Sequence, residues 1–411
     1  MRKTAPRLVA IVSVFAAVIT AALLAGCGSS SSSSGSSSTA SGGEDGTIDY
    51  GLLTALSGST ASWGTAEKAS DQIAIDEINK RGGVEVDGKK YKFALKTYDN
   101  GYDPTKTATV GRQAIEQDGI QFVENLGGGT VAAVQPIAER AGVLLFCSCS
   151  GSEFLGEDHP NTFRPYYDDA QSLASILQYF KQKNPSATHI AQIYTDDDVG
   201  HETIPLTEKP LEEAGLTSSV TYVPRDATEL YPVLTKVLQD NPEAIDVGAS
   251  PEGLYDGMVK QARELGFKGP FMFPDAFDFS SASKALPAGD LVGSLSAPCN
   301  LTAGSATGKK WAKAYEDMTG EEPQWWSAQS HDNVLLLAEA IEKAQSLEPD
   351  AVAEAMSEVS VEGATSGGGT VKYGGEEAFG LPRAFEVPYP VCEITPGGPG
   401  GRGVQKQVTK G

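Results

Sequence analysis

The feature that most constrains the fold is an alternation of short apolar strands with helices. In the first part of the chain, strands are expected at Ile48–Leu53 and in the segments YKFALKTYD, IQFVENL and VLLFC, separated by helices at about 65–80, 104–118 and 130–141. A strand, a helix and a second strand form a βαβ unit with parallel strands in one sheet and helices on both faces. The spacing therefore predicts an α/β fold.

The alternation restarts near residue 168. Helices are expected at about 168–183, 202–214, 227–239 and 251–265, and the strands between them are HIAQIY, SSVTYV, AIDVGA and PFMFP. Helices near 306–319, 326–345 and 350–359 then precede a final β segment, RAFEVPYPVCEI. Two such series, in a chain too long for one ordinary core, predict two Rossmann-like lobes with parallel sheets.

Local signals mark some helix ends. Asp103-Pro104 combines an N-capping side chain with a proline at the first helical position, so a helix should begin there. Arg81-Gly82-Gly83 places a cation and then glycines where the preceding helix should end.

The N-terminus has the features of an export signal. Three basic residues precede a stretch from Leu8 to Gly26 that contains no charged residue, as in secretory signals. We therefore expect residues 1–26 to be a signal peptide. The stretch is also long enough to span a membrane, so a retained helix is the alternative.

A cysteine ends the apolar stretch. The tetrad Leu24-Ala25-Gly26-Cys27 resembles the bacterial lipobox, in which the signal is cut before the cysteine and the thiol carries lipid. Cys27 is thus the expected anchor to the outer face of the cell membrane. Residues 27–46 are rich in serine and glycine, and such a linker behaves as a coil with a reach of about 25 Å.

The charge balance restricts the partners. The chain carries 54 acidic and 32 basic residues, which gives a net charge of −22. This argues against binding to nucleic acid or to anionic lipid and suits an exported protein.

Besides Cys27 there are four cysteines: Cys147, Cys149, Cys299 and Cys392. An even number in an oxidising compartment favours disulfides. A bridge between Cys147 and Cys149, two residues apart at a strand end, would be strained, so we prefer the pair Cys299–Cys392; free buried thiols are the alternative. The four histidines lie far apart and no CxxC motif occurs, which disfavours structural zinc.

Small, hydroxyl-rich loops follow several strands. GGGT follows FVENL at a helix start, SCSGS follows VLLFC, and SPEG follows AIDVGA. Ligands of open α/β sheets bind beyond the carboxyl ends of the strands, and backbone N–H groups at a helix start can hold an anion such as a carboxylate. GGGT lacks the Gly-Lys-Ser/Thr ending of a nucleotide-binding loop, so no cofactor is expected.

An acidic loop, Asp196–Asp198, and Glu202 follow the strand HIAQIY. We interpret this group as a solvated loop or helix cap rather than a cation site.

Several segments resemble one family. LSGSTASWGTAEKASDQIAIDEINKRGGV is similar to the opening of the bacterial periplasmic binding proteins for leucine, isoleucine and valine. Further similar segments follow in order: YDNGYDPTKTATVGRQAIEQDGI, PIAERAGVLLF, NTFRPYYDDAQ, VKQARELGF and HDNVLLLAEAI. The resemblance implies the type I periplasmic-binding fold, in which two lobes joined by three hinge crossings close over a ligand. It places one lobe at 47–165 plus 299–384 and the other at 166–298 plus 385–411.

The resemblance also implies which residues contact the ligand. These are Trp63, Gly128, Gly129, Thr130, Cys149, Ser150, Gly151, Val199, Ser250 and Asp275. Trp63 would cover the ligand, residues 128–130 would hold its carboxylate, and residues 149–151 would contact the same head group. Positions 199 and 250 are often tyrosine in the family, and Asp275 would hold an α-ammonium group.

Departures from the family pattern leave the ligand open. Glycines at 128 and 129 replace serines, Gly151 replaces a threonine, and Val199 and Ser250 replace larger tyrosines. A roomier cleft follows, which suits an amino acid, a related amide, urea or polyamine-like molecule, or another small organic solute.

The implied function is capture of a small polar solute and its delivery to the permease subunits of an ABC importer. A ligand sensor coupled to a signalling partner is one alternative, and an enzyme acting on a small amide or ester is another. No G-x-S-x-G, H-E-x-x-H or Cys–His pattern supports an enzyme.

Overall fold

The computed structural model describes residues 44–409, except 59, 150, 167–168, 249, 275–276, 278, 298–304, 366–368 and 387–388. The expected signal peptide, Cys27 and the linker as far as residue 43 lie outside these residues, as do Ser150, Asp275 and Cys299. The linker ends earlier than we expected, because residues 44–46 already belong to a strand that pairs with its neighbour from Glu44 onwards.

The first sheet contains six strands in the order β2-β3-β1-β4-β5-β6. They are β1 (Glu44–Thr54), β2 (Val84–Val86), β3 (Lys89–Asp99), β4 (Phe122–Leu126), β5 (Leu144–Ser148) and β6 (Thr162–Phe163). Neighbouring strands are parallel, as predicted, except that β2 and β3 form an antiparallel hairpin. The alternation pattern missed β2. Its turn residues Asp87 and Gly88 have φ angles of 50° and 76°, which an Asp-Gly pair adopts readily.

The second sheet contains seven strands in the order β16-β15-β11-β10-β9-β7-β8. They are β7 (His189–Thr195), β8 (Thr217–Val223), β9 (Ile245–Asp246), β10 (Phe271–Phe273), β11 (Leu295–Ser296), β15 (Cys392–Thr395) and β16 (Val404–Gln407). The pairs from β8 to β11 are parallel, whereas β15 and β16 add two antiparallel strands at the edge. The second sheet is therefore mixed rather than fully parallel.

Helices cover the sheets on both faces. They are α1 (Ala61–Lys80), α2 (Pro104–Arg112), α3 (Gly128–Ala141), α4 (Asp169–Lys183), α5 (Asp198–Glu213), α6 (Tyr231–Gln239), α7 (Glu252–Glu264), α8 (Phe279–Ala285), α9 (Ala306–Thr319), α10 (Ala328–Ala344), α11 (Pro349–Met356) and α12 (Glu376–Phe379). Asp103 caps α2 as predicted, since its carboxylate accepts a hydrogen bond from the Lys106 amide at 2.7 Å. Of the helices in the described ranges, none is both long and apolar enough to cross a membrane.

A third, antiparallel sheet comprises β12 (Ser360–Glu362), β13 (Thr370–Gly374) and β14 (Ala384–Glu386). The final β segment of the sequence is thus divided between two sheets, with β14 in the third and β15 in the second. After β6 the chain enters the second sheet, after β11 it returns to pack α9 and α10 against α1, and after β14 it re-enters the second sheet. The limits of the two lobes stay a prediction.

The core of the first sheet contains a layer of buried carboxyl groups. Glu67 and Asp71 on α1 and Glu124 on β4 are all fully buried. Glu124 accepts hydrogen bonds from the hydroxyls of Tyr50 at 2.6 Å and Ser330 at 2.8 Å. These bonds join β1, β4 and α10 through one polar centre.

Burial and mutual repulsion raise the pKa of Glu67 and Asp71 well above ordinary values, and burial also raises the pKa of Glu124. Glu124 accepts hydrogen bonds from three hydroxyls, those of Tyr50, Ser148 and Ser330, whereas the carboxyl oxygens of Asp71 have no hydrogen-bond partner in the described ranges. The proton of this pair therefore resides on Asp71.

Candidate functional site

The N-terminal ends of α3 and α5 contact each other. α3 follows the carboxyl end of β4, and α5 follows the carboxyl end of β7. α3 begins at Gly128 and α5 at Asp198, two and four residues earlier than the sequence predicted. The glycine turn (Gly127–Gly129) and the acidic loop therefore belong to the junctions between strands and helices. This places groups from both sheets at one point, as expected for a ligand site in an α/β fold.

The glycine turn allows an unusually close approach from the second sheet. A Cβ atom at Gly128 would collide with the carboxylate of Glu202, and one at Gly129 would collide with the carboxylate of Asp198. Gly127 has a φ of 90°, and the Tyr102 hydroxyl lies 2.6 Å from the position its Cβ would occupy. The absence of side chains is thus what lets α5 and Tyr102 pack against α3.

Three aromatic side chains, Trp63, Tyr102 and Trp326, pack together beside the glycine turn. The Trp63 ring meets Tyr102 edge to face at 6.0 Å between ring centroids, and Trp326 at 6.4 Å. The guanidinium of Arg225, from the loop after β8, lies 5.5 Å from the centroid of the Trp63 ring. Trp63 therefore links the first sheet to the second through a cation–π contact.

Arg225 is held in place by its own sheet. Its Nε donates to the Asp197 carboxylate at 2.6 Å, and its Nη2 donates to the Thr195 hydroxyl at 3.3 Å. Asp197 in turn accepts a hydrogen bond from the Gly200 amide at 3.3 Å and so caps α5. Burial acts to raise the pKa of Asp197, but the hydrogen bond and charge of Arg225 outweigh it and lower that pKa.

Three further carboxylates, which we call the acidic group (Glu153, Asp198 and Glu202), lie in this region: Glu202 and Asp198 against the glycine turn, and Glu153 within range of the charge of Glu202. Glu153, from the loop after β5, lies with its Oε1 2.7 Å from the Cβ position of Gly151. Burial, followed by the charges of Glu153, Asp198 and Asp197, raises the pKa of Glu202 to about 7. Asp197 confirms the predicted helix cap, and Asp196 and Asp198 are exposed, in agreement with a solvated loop. Asp198 and the partly buried Glu202 also lie close to Gly129 and Gly128 of α3, which the sequence did not indicate.

The expected ligand residues divide into two sets. Trp63, Gly128 and Gly129 contact groups of the second sheet, and Val199 lies half-buried in the first turn of α5. Ser250, after β9, is 8% exposed, and its hydroxyl has no hydrogen-bond partner within the described part of the chain. The ligand contacts expected of these five residues stay a prediction.

Thr130 is turned into the protein instead. Its hydroxyl donates to the Gly127 carbonyl at 2.8 Å and also approaches the carbonyl of Leu126, and the residue is 2% exposed. Its side chain therefore stabilises the glycine turn by bonding to the turn's own backbone.

The cysteines correct one expectation. Cys147 and Cys149 are joined by a disulfide, with their Cα atoms 5.3 Å apart, which is within the usual range for a bridge. The expected strain did not prevent the bond that we had disfavoured. Cys392 is buried on β15, and because Cys299 lies outside the described residues, the pair Cys299–Cys392 stays a prediction.

Arg225, Tyr102 and Glu153 were not expected at the site. Tyr102 lies in the similar segment YDNGYD, and Glu153 follows the loop SCSGS, but neither has a local motif. Burial raises the pKa of Tyr102 to about 12, so its hydroxyl remains a neutral donor. Across the described ranges, no group of three or more histidine, cysteine, aspartate or glutamate side chains is arranged to hold a metal ion.

Comparison with known proteins identifies similar chains. The sequence profile of a periplasmic binding protein family matches residues 47–380. The leucine-, isoleucine-, valine-, threonine- and alanine-binding protein of Pseudomonas aeruginosa is 26% identical over 322 residues, which cover 75% of this chain and 82% of that protein. A Leu/Ile/Val-binding protein homologue of Brucella abortus is 27% identical over 317 residues, covering 75% and 81% of the two chains.

Solved structures show the same fold. A leucine-binding protein of Thermotoga maritima superposes with a TM-score of 0.71 at 19% identity, over 87% of this chain and 97% of that chain. An ABC-transporter solute-binding protein of Rhodopseudomonas palustris, in complex with 3,4-dihydroxybenzoic acid, superposes with a TM-score of 0.73 at 21% identity, over 88% and 96%. The predicted α/β fold with two Rossmann-like lobes is confirmed by these similarities.

Proposed function

This chain belongs to the periplasmic binding protein family, in its type I Leu/Ile/Val-binding group, and we propose that it captures a small polar organic solute and delivers it to an ABC importer. The family works outside the cytoplasm. The candidate ligands are a branched-chain or other amino acid or a related amide. Relatives named for aliphatic amino acids and a neighbour holding a dihydroxybenzoate support a solute of that size.

One observation carries the proposal: groups from both sheets converge where the two helix starts meet. Trp63 and the glycine turn come from the first sheet, whereas Arg225 and α5 come from the second. A ligand bound there would touch both and would favour the closed arrangement by its differential affinity for it. Permease subunits would then recognise the closed form, and the solute would be bound without being transformed.

A ligand screen on the exported chain tests this role. Thermal shifts should be measured with amino acids, amides, polyamines and aromatic acids, since a ligand at a hundred times its Kd stabilises the fold by about 2.7 kcal/mol. The best compound should then be titrated by calorimetry, with small-angle scattering to detect closure. Trp63→Ala should weaken binding at least tenfold, whereas Tyr231→Ala, at an exposed aromatic residue on α6, should not. If no compound stabilised the protein, solute capture would be contradicted.

We also propose that Cys27 carries the lipid anchor. The motif at residues 24–27 and the serine- and glycine-rich segment after it support this placement. Cys27→Ala should move the protein from the membrane fraction to the soluble extracytoplasmic fraction, as measured by fractionation and immunoblotting. Retention of the variant in the membrane would instead support an uncleaved helix.

Asp275 and Ser150, which lie outside the described residues, keep their proposed roles. Asp275 would hold an ammonium group and Ser150 a polar head group of the ligand, and the lobes would follow the limits given above. Asp275→Ala should weaken binding of an amine ligand at least tenfold, because a charge-assisted hydrogen bond contributes about 1.5–3 kcal/mol. Unchanged affinity by calorimetry would remove Asp275 from the site.

A further inference from the structure

Resting on the solute-binding role proposed above, we infer that the site selects an organic cation without a carboxylate, and that Glu202, with Glu153 and Asp198, sets this selectivity. The ligand class is therefore an amine, an amidine or an amino-acid amide rather than a free amino acid or an aromatic acid.

The first argument is that two of the protein's own carboxylates lie against the start of α3, where a ligand anion would be expected to bind. Backbone N–H groups at a helix start attract an anion. Here the carboxylates of Glu202 and Asp198 lie against Gly128 and Gly129, so close that no Cβ fits between them. A ligand carboxylate at this turn would meet both of them.

The second argument is the balance of charge around the turn. The charges of Glu153, Asp198 and Asp197, which come from both sheets, all act on Glu202. Arg225, whose guanidinium lies against Trp63, donates through Nε and Nη2 to Asp197 and Thr195, while its Nη1 has no partner in the described ranges. This single cation faces four carboxylates. An anionic ligand would therefore increase the repulsion among these groups, whereas a cation would relieve it.

The third argument concerns groups that await a ligand. Ser250 follows β9, which pairs in parallel with β7 in the second sheet, so the residue lies at the same carboxyl edge of the sheet as Asp197 and Asp198. This hydroxyl is more than nine-tenths buried and has no partner in the described ranges, and it can accept a hydrogen bond from an N–H group. The Trp63 ring already contacts one organic cation, the Arg225 guanidinium, and aromatic faces favour such charges.

Matched compounds separate charge from shape. Benzoate, benzamide and benzamidine share a ring, and leucine, leucine amide and isoamylamine share an aliphatic chain. Calorimetry on the full exported protein should find benzamidine at least tenfold tighter than benzoate, and leucine amide at least tenfold tighter than leucine. Glu202→Gln should weaken the cations at least tenfold, whereas Glu208→Gln, exposed on the same helix, should leave them unchanged. Glu153→Gln, from the first sheet, provides a second variant if Glu202→Gln does not fold.

The outcomes separate the two proposals. Tighter binding of leucine or benzoate than of their cationic partners would support solute capture but overturn the inference. Equal loss of all six compounds in Glu202→Gln would also overturn it, because Glu202 would then act on the fold rather than on charge. If no cation in the set binds while the broader screen finds a ligand, the inference fails and the proposed function stands.

Discussion

Replacing Asp71 with asparagine should make the free energy of unfolding less dependent on pH. Asp71 is fully buried beside Glu124, and burial with the charges of Glu124 and Glu67 raises its pKa well above its ordinary value. The folded protein therefore retains a proton that the unfolded chain releases. Asparagine has nearly the same shape and carries no proton that titrates in this pH range.

The magnitude follows from proton linkage. Above the unfolded pKa of about 3.9, the folded state binds one more proton at Asp71 than the unfolded state, so stability falls as pH rises. Each retained proton lowers the free energy of unfolding by about 1.4 kcal/mol per pH unit until the folded pKa is reached. Asp71→Asn should remove about this slope from the profile, while Glu67 and Glu124 keep their own contributions.

The free energy of unfolding of the full exported protein should be measured by urea denaturation from about pH 5 to pH 7. The control is Asp76→Asn, on the same helix, where the carboxylate is exposed and accepts from Gln72; its slope should match that of the unsubstituted protein. Parallel profiles for Asp71→Asn and the unsubstituted protein would refute the placement of the proton on Asp71.

Three further predictions concern the site. Thr130→Val should lower the free energy of unfolding by about 1 kcal/mol, because it removes the hydrogen bond to the Gly127 carbonyl. Calorimetry should find the ligand affinity unchanged. A loss of affinity without a loss of stability would instead show that Thr130 contacts the ligand. The affinity for benzamidine should rise up to about tenfold between pH 6 and pH 8, because Glu202 ionises with a pKa of about 7. In Glu202→Gln the affinity should not change with pH. An equal rise in that variant would show that Glu202 is not the group responsible. Arg225→Met should lower the free energy of unfolding by about 2 kcal/mol, because Asp197 loses the hydrogen bond from Arg225. If denaturant unfolding found no change, this hydrogen bond would not contribute to stability.

Much of the fold could be predicted from the sequence because its signals are local. Asp103-Pro104 identified the start of α2 to the residue, and helices α4, α7 and α9 lie within one residue of their expected limits. The hairpin of β2 was missed although Asp87-Gly88 is a strong turn signal, because β2 has only three residues. The placement of β16 depends on pairing with β15, which no short segment reveals.

The site was less predictable, because it depends on which loops meet. The glycine turn was identified from GGGT, but nothing in the sequence indicates that Glu202 reaches it from another sheet. Arg225 lies in a loop that carries no motif, and its role follows only from its contact with Trp63. The bridge between Cys147 and Cys149 was disfavoured on spacing alone, whereas the outcome depends on the backbone path after β5.

The order of strands in the second sheet bears on how an exported chain acquires its structure. β11 has its outer neighbour, β15, almost a hundred positions later in the chain, and β16 follows still later. Helices that complete the core of the first sheet also come from beyond residue 305. If the chain is exported from its N-terminus as we propose, neither half can finish burying its apolar surface until nearly all of the chain has crossed the membrane.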